Sequence, residues 1–199
     1  MKVFVVDMLG LKGKVDELRE NLSRAEVGFA EGIRNSNVRE QFIISKAMVR
    51  KFLAETEPLK GVRPADIEIE SGPNGKPYVA GKAVHYNVSH SKNLLVVAID
   101  DAAVGVDVEY MKERDFDALT KYYFSDKRDV AGHILQSADK KTEFYKQWTL
   151  AEAEAKLAGV GVFGWKQKSG QLSAKYSHSR IVNDNYMLTV ASNDKINQE

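Results

Sequence analysis

Apolar and polar residues alternate strictly in the middle of the chain. In the stretch 104–109, which reads VGVDVE, every valine is followed by Gly105, Asp107 or Glu109. Neighbouring side chains on a strand point to opposite faces, so the valines share a face that can reach a core and the two carboxylates share the other. Two carboxylates on one face repel each other unless a cation lies between them, and oxygen ligands suit Mg²⁺. The same pattern is also typical of a strand that ends in water with both acids solvated.

The same kind of pattern predicts the other elements. Alternating or continuous apolar residues predict strands at 1–7, 65–70, 84–91, 94–99, 171–180 and 185–191, with a Ser-His-Ser turn at the end of 84–91 and a hairpin turn at 182–184. Helical spacing predicts helices at 37–55, at 116–123, from Ser125 as N-cap to about 136, and at 140–158. The polar, helix-prone region before residue 37 is interrupted at Gly28 and Gly32.

The order of these elements is similar in the two halves of the chain. Each half has antiparallel-looking strands and at least one helix, and the halves meet near residue 100. We therefore expect an α+β protein with two similar lobes, residues 1–100 and 101–199. No clear internal sequence repeat accompanies this division.

Length, charge and composition exclude several classes of protein. With 199 residues the chain is long enough for one large domain or two small lobes. Its formal charge of +1 disfavours a polybasic nucleic-acid binder, and the absence of cysteine excludes disulfides and thiolate sites. No apolar run approaches membrane-spanning length, and the first strand is too short for a signal peptide. We expect a soluble cytoplasmic protein that binds neither nucleic acid nor membranes.

Two basic features could bind a polyanion. Arg39, Lys46 and Arg50 form a narrow stripe on the predicted helix 37–55, because offsets of seven and four return close to the same azimuth. The stripe fits a solvated helix edge as well as it fits an anionic ligand. The second feature is the turn-rich loop 71–78, whose centre, Gly75-Lys76-Pro77, offers an open backbone, a kink and one cation.

The predicted helix 140–158 carries a candidate catalytic pair. Trp148, Glu152 and Lys156 recur at steps of four and share one face. Glu152 and Lys156 also fit a plain surface ion pair, which is worth only about 0.3–0.5 kcal/mol.

Three segments of the chain occur in an order and spacing that one family shares. They are Asn87-Val88-Ser89-His90-Ser91, Gly105-Val106-Asp107-Val108-Glu109 and Trp148-Thr149-x-x-Glu152-Ala153-x-x-Lys156. Together with the Gly75-Lys76-Pro77 loop and Phe124-Ser125, this set resembles the Sfp-type 4′-phosphopantetheinyl transferases, over about residues 37–165. The resemblance implies the fold of that family, a pseudo-dimer of two similar α/β lobes with the active site in the cleft between them.

The resemblance also implies a reaction. The family moves the 4′-phosphopantetheine group of coenzyme A to a serine of an acyl or peptidyl carrier protein and releases 3′,5′-ADP. By position, Asp107, Glu109 and Glu152 correspond to the Mg²⁺ ligands. Glu152, or a metal-bound water that it orients, is the expected base for the serine proton, and Lys156 is expected to stabilise the departing phosphate. Because both lobes belong to one chain, we expect a monomer.

The binding of coenzyme A is expected to use the first lobe. The resemblance implies that Ser89 and His90 contact its phosphates, with Arg39 or Lys46 assisting. The backbone of Gly75-Lys76-Pro77 is expected to border the adenine.

Two positions depart from the family pattern and keep other functions open. The residue before the helix glutamate is usually Lys but is Ala151 here, and the acid expected three residues after Ser125 is Arg128. The alternatives are a non-catalytic relative that binds coenzyme A or a carrier protein, and an Mg²⁺-dependent phosphodiesterase, which the near-neutral charge disfavours. A catalytic protein should present basic residues to acidic carrier proteins. The candidates are Lys112, Arg114, Lys121, Lys127 and Arg128.

Overall fold

The structure, a computed structural model, describes residues 1–72, 74–160 and 173–196. Within these ranges the strands are β1 Lys2–Asp7, β2 Ile69–Ser71, β3 Pro77–Val79, β4 His85–Ser91, β5 Leu94–Asp100, β6 Val104–Tyr110, β7 Tyr176–Val182 and β8 Tyr186–Ser192. The α-helices are α1 Val15–Arg19, α2 Arg24–Gly32, α3 Ser36–Ala54, α4 Phe116–Tyr123, α5 Arg128–Gln136 and α6 Lys140–Leu157, with 3-10 turns at Leu9–Lys14 and Pro64–Asp66. None of these helices is long and apolar enough to cross a membrane.

The strands form two three-stranded antiparallel sheets and a small hairpin. The first sheet has the order β1-β5-β4, the second has the order β6-β8-β7, and β2 pairs with β3. The two larger sheets share one strand order. In each, the strand that comes last in the sequence (β5 or β8) lies in the middle, between the first strand (β1 or β6) and the strand that precedes it (β4 or β7). This mixed architecture of helices and antiparallel sheets is the α+β fold that the sequence predicts. The shared strand order supports two similar lobes, although the boundary at residue 100 stays a prediction.

The two larger sheets pack against each other through an apolar layer. It contains Leu94 and Val96 of β5 together with Val104, Val106 and Val108 of β6. The three valines are at most 1% exposed. Their alternation along β6 therefore places a continuous apolar face between the sheets, as the sequence pattern predicts.

Helix α3 covers the outer face of the first sheet and contains a buried cation. Arg50 is only 3% exposed, and its Nε donates to Glu26 Oε2 at 2.6 Å. Its Nη1 donates to the carbonyl oxygens of Pro64 and Ile67, both at 2.9 Å. The predicted basic stripe is thus wrong at Arg50, because this side chain serves the core of the first half.

Helix α6 covers the outer face of the second sheet and lies unusually close to β6. A Cβ atom at Gly105 would lie 2.0 Å from the carbonyl oxygen of Ala153 and 2.6 Å from the backbone nitrogen of Leu157. Only glycine allows such an approach of two backbones. Since Asp107 lies two residues along the same face of β6, this approach also brings α6 towards Asp107.

Some predicted element boundaries differ from the structure. Gly28 lies inside α2 and does not interrupt it. Helix α5 begins at Arg128 with Lys127 at the N-cap position, so the prediction that Ser125 caps it is wrong.

The predicted strands also need correction at two places. Segment 65–70 is not one strand, because its first half forms a 3-10 turn and β2 begins only at Ile69. The predicted Ser-His-Ser turn belongs to β4, which continues to Ser91. The hairpin of β7 and β8 is confirmed, while positions 171–172 of the predicted strand 171–180 lie outside the described residues.

Candidate active site

A ladder of polar side chains joins the first sheet to the second. Asn87, Ser89 and Ser91 share one face of β4 because they are spaced by two. Their oxygens accept hydrogen bonds from the backbone nitrogens of β6 at residues 106, 108 and 110, with lengths of 2.9, 3.2 and 3.1 Å. The ladder fixes β4 beside the strand that carries the predicted metal ligands.

Asp107 lies at the centre of the polar contacts between β4, β6 and α6. Its Oδ1 accepts hydrogen bonds from Ser89 Oγ at 2.8 Å and from Lys156 Nζ at 2.7 Å. Lys156 Nζ also donates to Ser89 Oγ at 2.9 Å. Asp107 is only 3% exposed, and its Oδ2 has no hydrogen-bond partner among the described residues. A buried carboxylate oxygen without a donor is a position where a cation or a ligand proton would be stabilised.

Glu109 lies two residues along β6 from Asp107. Its Oε2 accepts a hydrogen bond of 2.9 Å from Ser91 Oγ. Burial and the charge of Asp107 raise the pKa of Glu109, and the charge of Lys156 partly opposes them. Burial is the larger of the two causes, and the negative charge of Asp107 adds to it.

Glu152 on α6 is affected in the same way. Burial raises its pKa to about 7, with contributions from the charges of Asp107 and Glu109 and an opposing one from Lys156. Three carboxylates from two separate elements therefore influence one another electrostatically, and Lys156 is the cation that offsets them.

The chemistry of this group fits Mg²⁺. All candidate ligands are carboxylate oxygens, and one buried oxygen of Asp107 lacks a partner among the described residues. Burial, and next to it the charge of Asp107, raises the pKa of both Glu109 and Glu152. Within the described residues, however, no three His, Cys, Asp or Glu side chains are gathered closely enough to form a complete metal site. The protein thus supplies carboxylate oxygens that suit Mg²⁺ but not a closed metal site, and Lys156 balances the charge of Asp107.

A cleft lies between Lys156 and the loop that joins β2 to β3. It has a volume of about 210 Å³, and its walls include Lys156 on one side and Gly75, Lys76 and Pro77 on the other. An adjoining cleft of about 320 Å³ shares Lys76 and Pro77 and continues to Tyr86. The structure therefore brings the predicted nucleotide loop and the predicted catalytic lysine to one continuous depression.

Comparisons with known proteins agree with this geometry. A sequence model described as the 4′-phosphopantetheinyl transferase superfamily matches residues 103–190, a range that contains β6 and α6. Over these residues the chain is similar to the 4′-phosphopantetheinyl transferase superfamily. The 4′-phosphopantetheinyl transferase psf-1 of Bacillus pumilus is 28% identical over 181 residues, which are 87% of this chain and 76% of that protein.

Two relatives from Bacillus subtilis match over shorter ranges. One, a 4′-phosphopantetheinyl transferase, is 32% identical over 121 residues, or 59% of this chain and 53% of its own length. The other, the transferase Sfp of strain 168, is 29% identical over 100 residues, or 49% of this chain and 44% of its own length. The chain thus spans about half the length of these two proteins. All the relatives named here are called 4′-phosphopantetheinyl transferases.

Other residues that the superfamily resemblance singled out lie apart from the Asp107 contacts. Arg39 donates to the carbonyl oxygen of Ile33 at 3.2 Å, and Lys46 Nζ lies 5.8 Å from the ring centroid of Phe42. His90 is exposed on the face of β4 opposite Ser89. Roles for Arg39, Lys46 and His90 in coenzyme A binding stay predictions.

Ser89 is a buried part of the Asp107 contacts. It is 6% exposed, and its hydroxyl donates to Asp107 while it accepts from Lys156 and from the Val108 backbone. These contacts use its hydrogen-bonding capacity fully. A direct contact of its side chain with coenzyme A, as predicted, would require one of these bonds to break.

The superfamily motifs contained two further positioning residues that sequence reasoning left without a role. Asn87 and Ser91 bind the β6 backbone, and Ser91 also binds Glu109. The sequence did contain a signal for this role. Asn87 and Ser91 lie two residues before and after Ser89, and residues spaced by two share one face of a strand. Ala151, the departure from the superfamily pattern, is 3% exposed and packs with the core around Phe144.

Proposed function

We propose that this protein transfers the 4′-phosphopantetheine group of coenzyme A to a serine hydroxyl of an acyl or peptidyl carrier protein. The serine oxygen forms a bond to the phosphorus next to pantetheine, the pyrophosphate bond breaks, and 3′,5′-ADP leaves. The observation that carries the proposal is the buried Asp107, which accepts hydrogen bonds from Ser89 and from Lys156. Lys156 also lines a cleft that Gly75, Lys76 and Pro77 border.

Asp107, Glu109 and Glu152 are the residues that would hold Mg²⁺. When bound, Mg²⁺ would neutralise negative charge on the pyrophosphate oxygens. The unpartnered Oδ2 of Asp107 supports this role. The pKa of both glutamates is raised by burial and, in part, by the charge of Asp107, and a bound cation would offset both effects.

Glu152 and Lys156 are the candidates for proton transfer and charge stabilisation. Burial raises the pKa of Glu152 to about 7, close to the value that suits a group accepting the proton of a serine at neutral pH. Lys156 lies one helical turn further on and lines the cleft, where its ammonium can stabilise the charge of the departing phosphate.

The carrier protein is expected to bind next to the second sheet. Carrier proteins are acidic, and exposed basic residues lie in this region. Lys112 precedes α4, Lys121 lies on α4, and Arg128 is the first residue of α5. We propose that the enzyme works as a cytoplasmic monomer, because both walls of the cleft come from a single chain.

The products of one incubation distinguish the candidate functions. The protein is mixed with coenzyme A, Mg²⁺ and an apo carrier protein, and the masses of carrier and nucleotide are measured. A carrier that gains one phosphopantetheine, with release of 3′,5′-ADP, supports the transferase. Hydrolysis of coenzyme A without a change in the carrier would support a phosphodiesterase, and binding without either product would support a non-catalytic relative.

A further inference from the structure

Lys76 reaches from the nucleotide loop of the first half to the backbone of the second half. Its Nζ donates to the carbonyl oxygen of Leu157 at 3.1 Å and to that of Val104 at 3.2 Å. Leu157 is the last residue of α6, and Val104 is the first of β6. One ammonium group therefore joins the loop, the end of the candidate catalytic helix and the start of the metal-ligand strand.

The end of α6 needs an external donor. The last carbonyls of a helix have no partner within it. Gly159, with φ +67°, turns the chain just after α6. The amides of Gly159 and Val160 donate back to the carbonyls of Lys156 and Ala155 at 3.2 and 2.9 Å. The Leu157 carbonyl points to Lys76 instead. A cation at this end is also favoured by the helix dipole.

The loop holds Lys76 in position for this contact. The Gly72 amide donates to the carbonyl of Lys76 at 2.9 Å, the Gly75 amide donates to that of Gly72 at 2.9 Å, and Gly75 has φ +77°. Pro77 then enters β3. The side chain is half-buried, and that burial lowers the pKa of Lys76, so its two carbonyl partners replace part of its contact with water.

We propose that Lys76 is a positioning residue that fixes the end of α6 against β6 and the nucleotide loop. The two hydrogen bonds from Lys76 to the carbonyls of Val104 and Leu157 form what we call the Lys76 clamp. Lys156 directly precedes Leu157, so the clamp acts one residue from the side chain that binds Asp107 at 2.7 Å. The two carbonyls use two of the three N–H donors of the Lys76 ammonium and fix its position at the end of α6. The loop backbone remains available to a nucleotide while the side chain holds the helix.

Hydrogen–deuterium exchange tests the clamp without any assay of activity. Lys76→Met keeps the apolar stem and removes the donors, and Lys82→Met is the matched control because Lys82 is an exposed lysine between β3 and β4. We expect the amides of 159 and 160 to exchange at least fivefold faster in Lys76→Met and at the wild-type rate in Lys82→Met. Lys76→Arg, which retains a cation, should restore most of the protection. Equal exchange in wild type and Lys76→Met would overturn the clamp.

Kinetics test the catalytic consequence, which rests on the proposed function. We expect Lys76→Met to lower kcat by about 10- to 100-fold, as small displacements of catalytic groups do, with KM for coenzyme A within about twofold of wild type. The preference for coenzyme A over dephospho-coenzyme A, which lacks the 3′-phosphate, should stay unchanged. A raised KM together with a lost preference would make Lys76 a phosphate ligand and overturn the positioning role. If the wild type transfers nothing, the proposed function fails, and the exchange result alone decides the clamp.

Discussion

At the scale of single residues, the chemistry depends on how a buried carboxylate is compensated. Asp107 has two donors on Oδ1, from Ser89 and Lys156, and none on Oδ2. Uncompensated buried charge destabilises a folded protein unless another group offsets it. The residues around Asp107 are therefore expected to limit stability in the absence of a cation and to gain stability when one binds.

Glu152 should make stability fall as pH rises. Its pKa is about 7 in the folded protein and near 4.5 when unfolded, so the folded state binds more protons between these values and loses stability as pH increases through them. In metal-free buffer at pH 8, Glu152→Gln should unfold roughly 2–4 °C above wild type, which corresponds to about 1 kcal/mol in a chain of this size. The two proteins should converge below pH 4.5.

The control for this prediction is Glu20→Gln, which changes an exposed glutamate at the end of α1. Its unfolding temperature should follow wild type across the whole pH range. A pH dependence of Glu152→Gln that is indistinguishable from that of wild type would show that the pKa of Glu152 is not raised in the folded protein.

Ser89 should matter for stability even without substrate. Ser89→Ala removes a donor to Asp107 and leaves the Val108 amide without its side-chain acceptor, so we expect a loss of about 1–3 kcal/mol in urea unfolding. Ser177→Ala, at an exposed serine of β7, is the matched control and should change stability by less than about 0.5 kcal/mol. A Ser89 variant as stable as this control would argue against the proposed support of Asp107.

At the scale of elements, the position of α6 on β6 depends on one missing side chain. Gly105→Ala would place a Cβ 2.0 Å from the carbonyl oxygen of Ala153, and neither backbone can move without disturbing the sheet or the helix. We expect a loss of about 3 kcal/mol or more, or failure to fold, measured by urea unfolding.

Gly132→Ala tests the same change in an open position. Gly132 lies inside α5, and a Cβ there would meet nothing within 4 Å. Because alanine favours helices, this variant should be about 0.5–1 kcal/mol more stable than wild type. Similar effects of the two substitutions would contradict the close approach of α6 to β6.

The sequence predicts elements well where periodicity decides them and poorly where distant partners do. Alternation located β6, and helical spacing located α3 within one residue at each end. In β4, Ser89 and Ser91 suggested a turn, yet the strand continues because their hydroxyls bind β6 across the two sheets. Arg50 looked like part of a solvated edge, but Glu26 and two carbonyls bury it, and none of these partners is visible in helical spacing.

The sequence predicted the candidate site only in part, because contacts between distant parts of the chain again leave no local pattern. The family motifs selected Asp107, Glu109, Glu152 and Lys156, and these four do influence one another in the structure. The clamp by Lys76 could not be predicted, because it depends on where a loop of the first half meets the end of a helix 81 residues later.

At the scale of the whole molecule, two sheets of the same strand order enclose one apolar layer, and the cleft lies where the first half meets α6. This arrangement supplies both walls of the cleft from one chain. It leaves the exposed basic residues around α4 and α5 on the side of the second half, available to a macromolecular partner.

Charge reversal at the start of α5 should separate carrier use from coenzyme A binding. Arg128→Glu should raise KM for an acidic carrier protein by about 3- to 10-fold, because it replaces attraction with repulsion at an exposed position, while the Kd for coenzyme A stays unchanged. Arg180→Glu, an identical charge change at an exposed position of β7, is the control and should leave both values near wild type. Equal effects of both variants, or a parallel loss of coenzyme A binding in Arg128→Glu, would rule out docking at Arg128.

The most direct test of the account is the rate at which an apo carrier protein gains phosphopantetheine, followed by intact mass in the presence of coenzyme A and Mg²⁺. Wild type should convert the carrier, and Asp107→Asn, which keeps the shape of the side chain but removes its charge, should be at least about 100-fold slower with the fold retained by circular dichroism. Conversion by Asp107→Asn at the wild-type rate would contradict the central claim that the carboxylates around Asp107 form the transfer site.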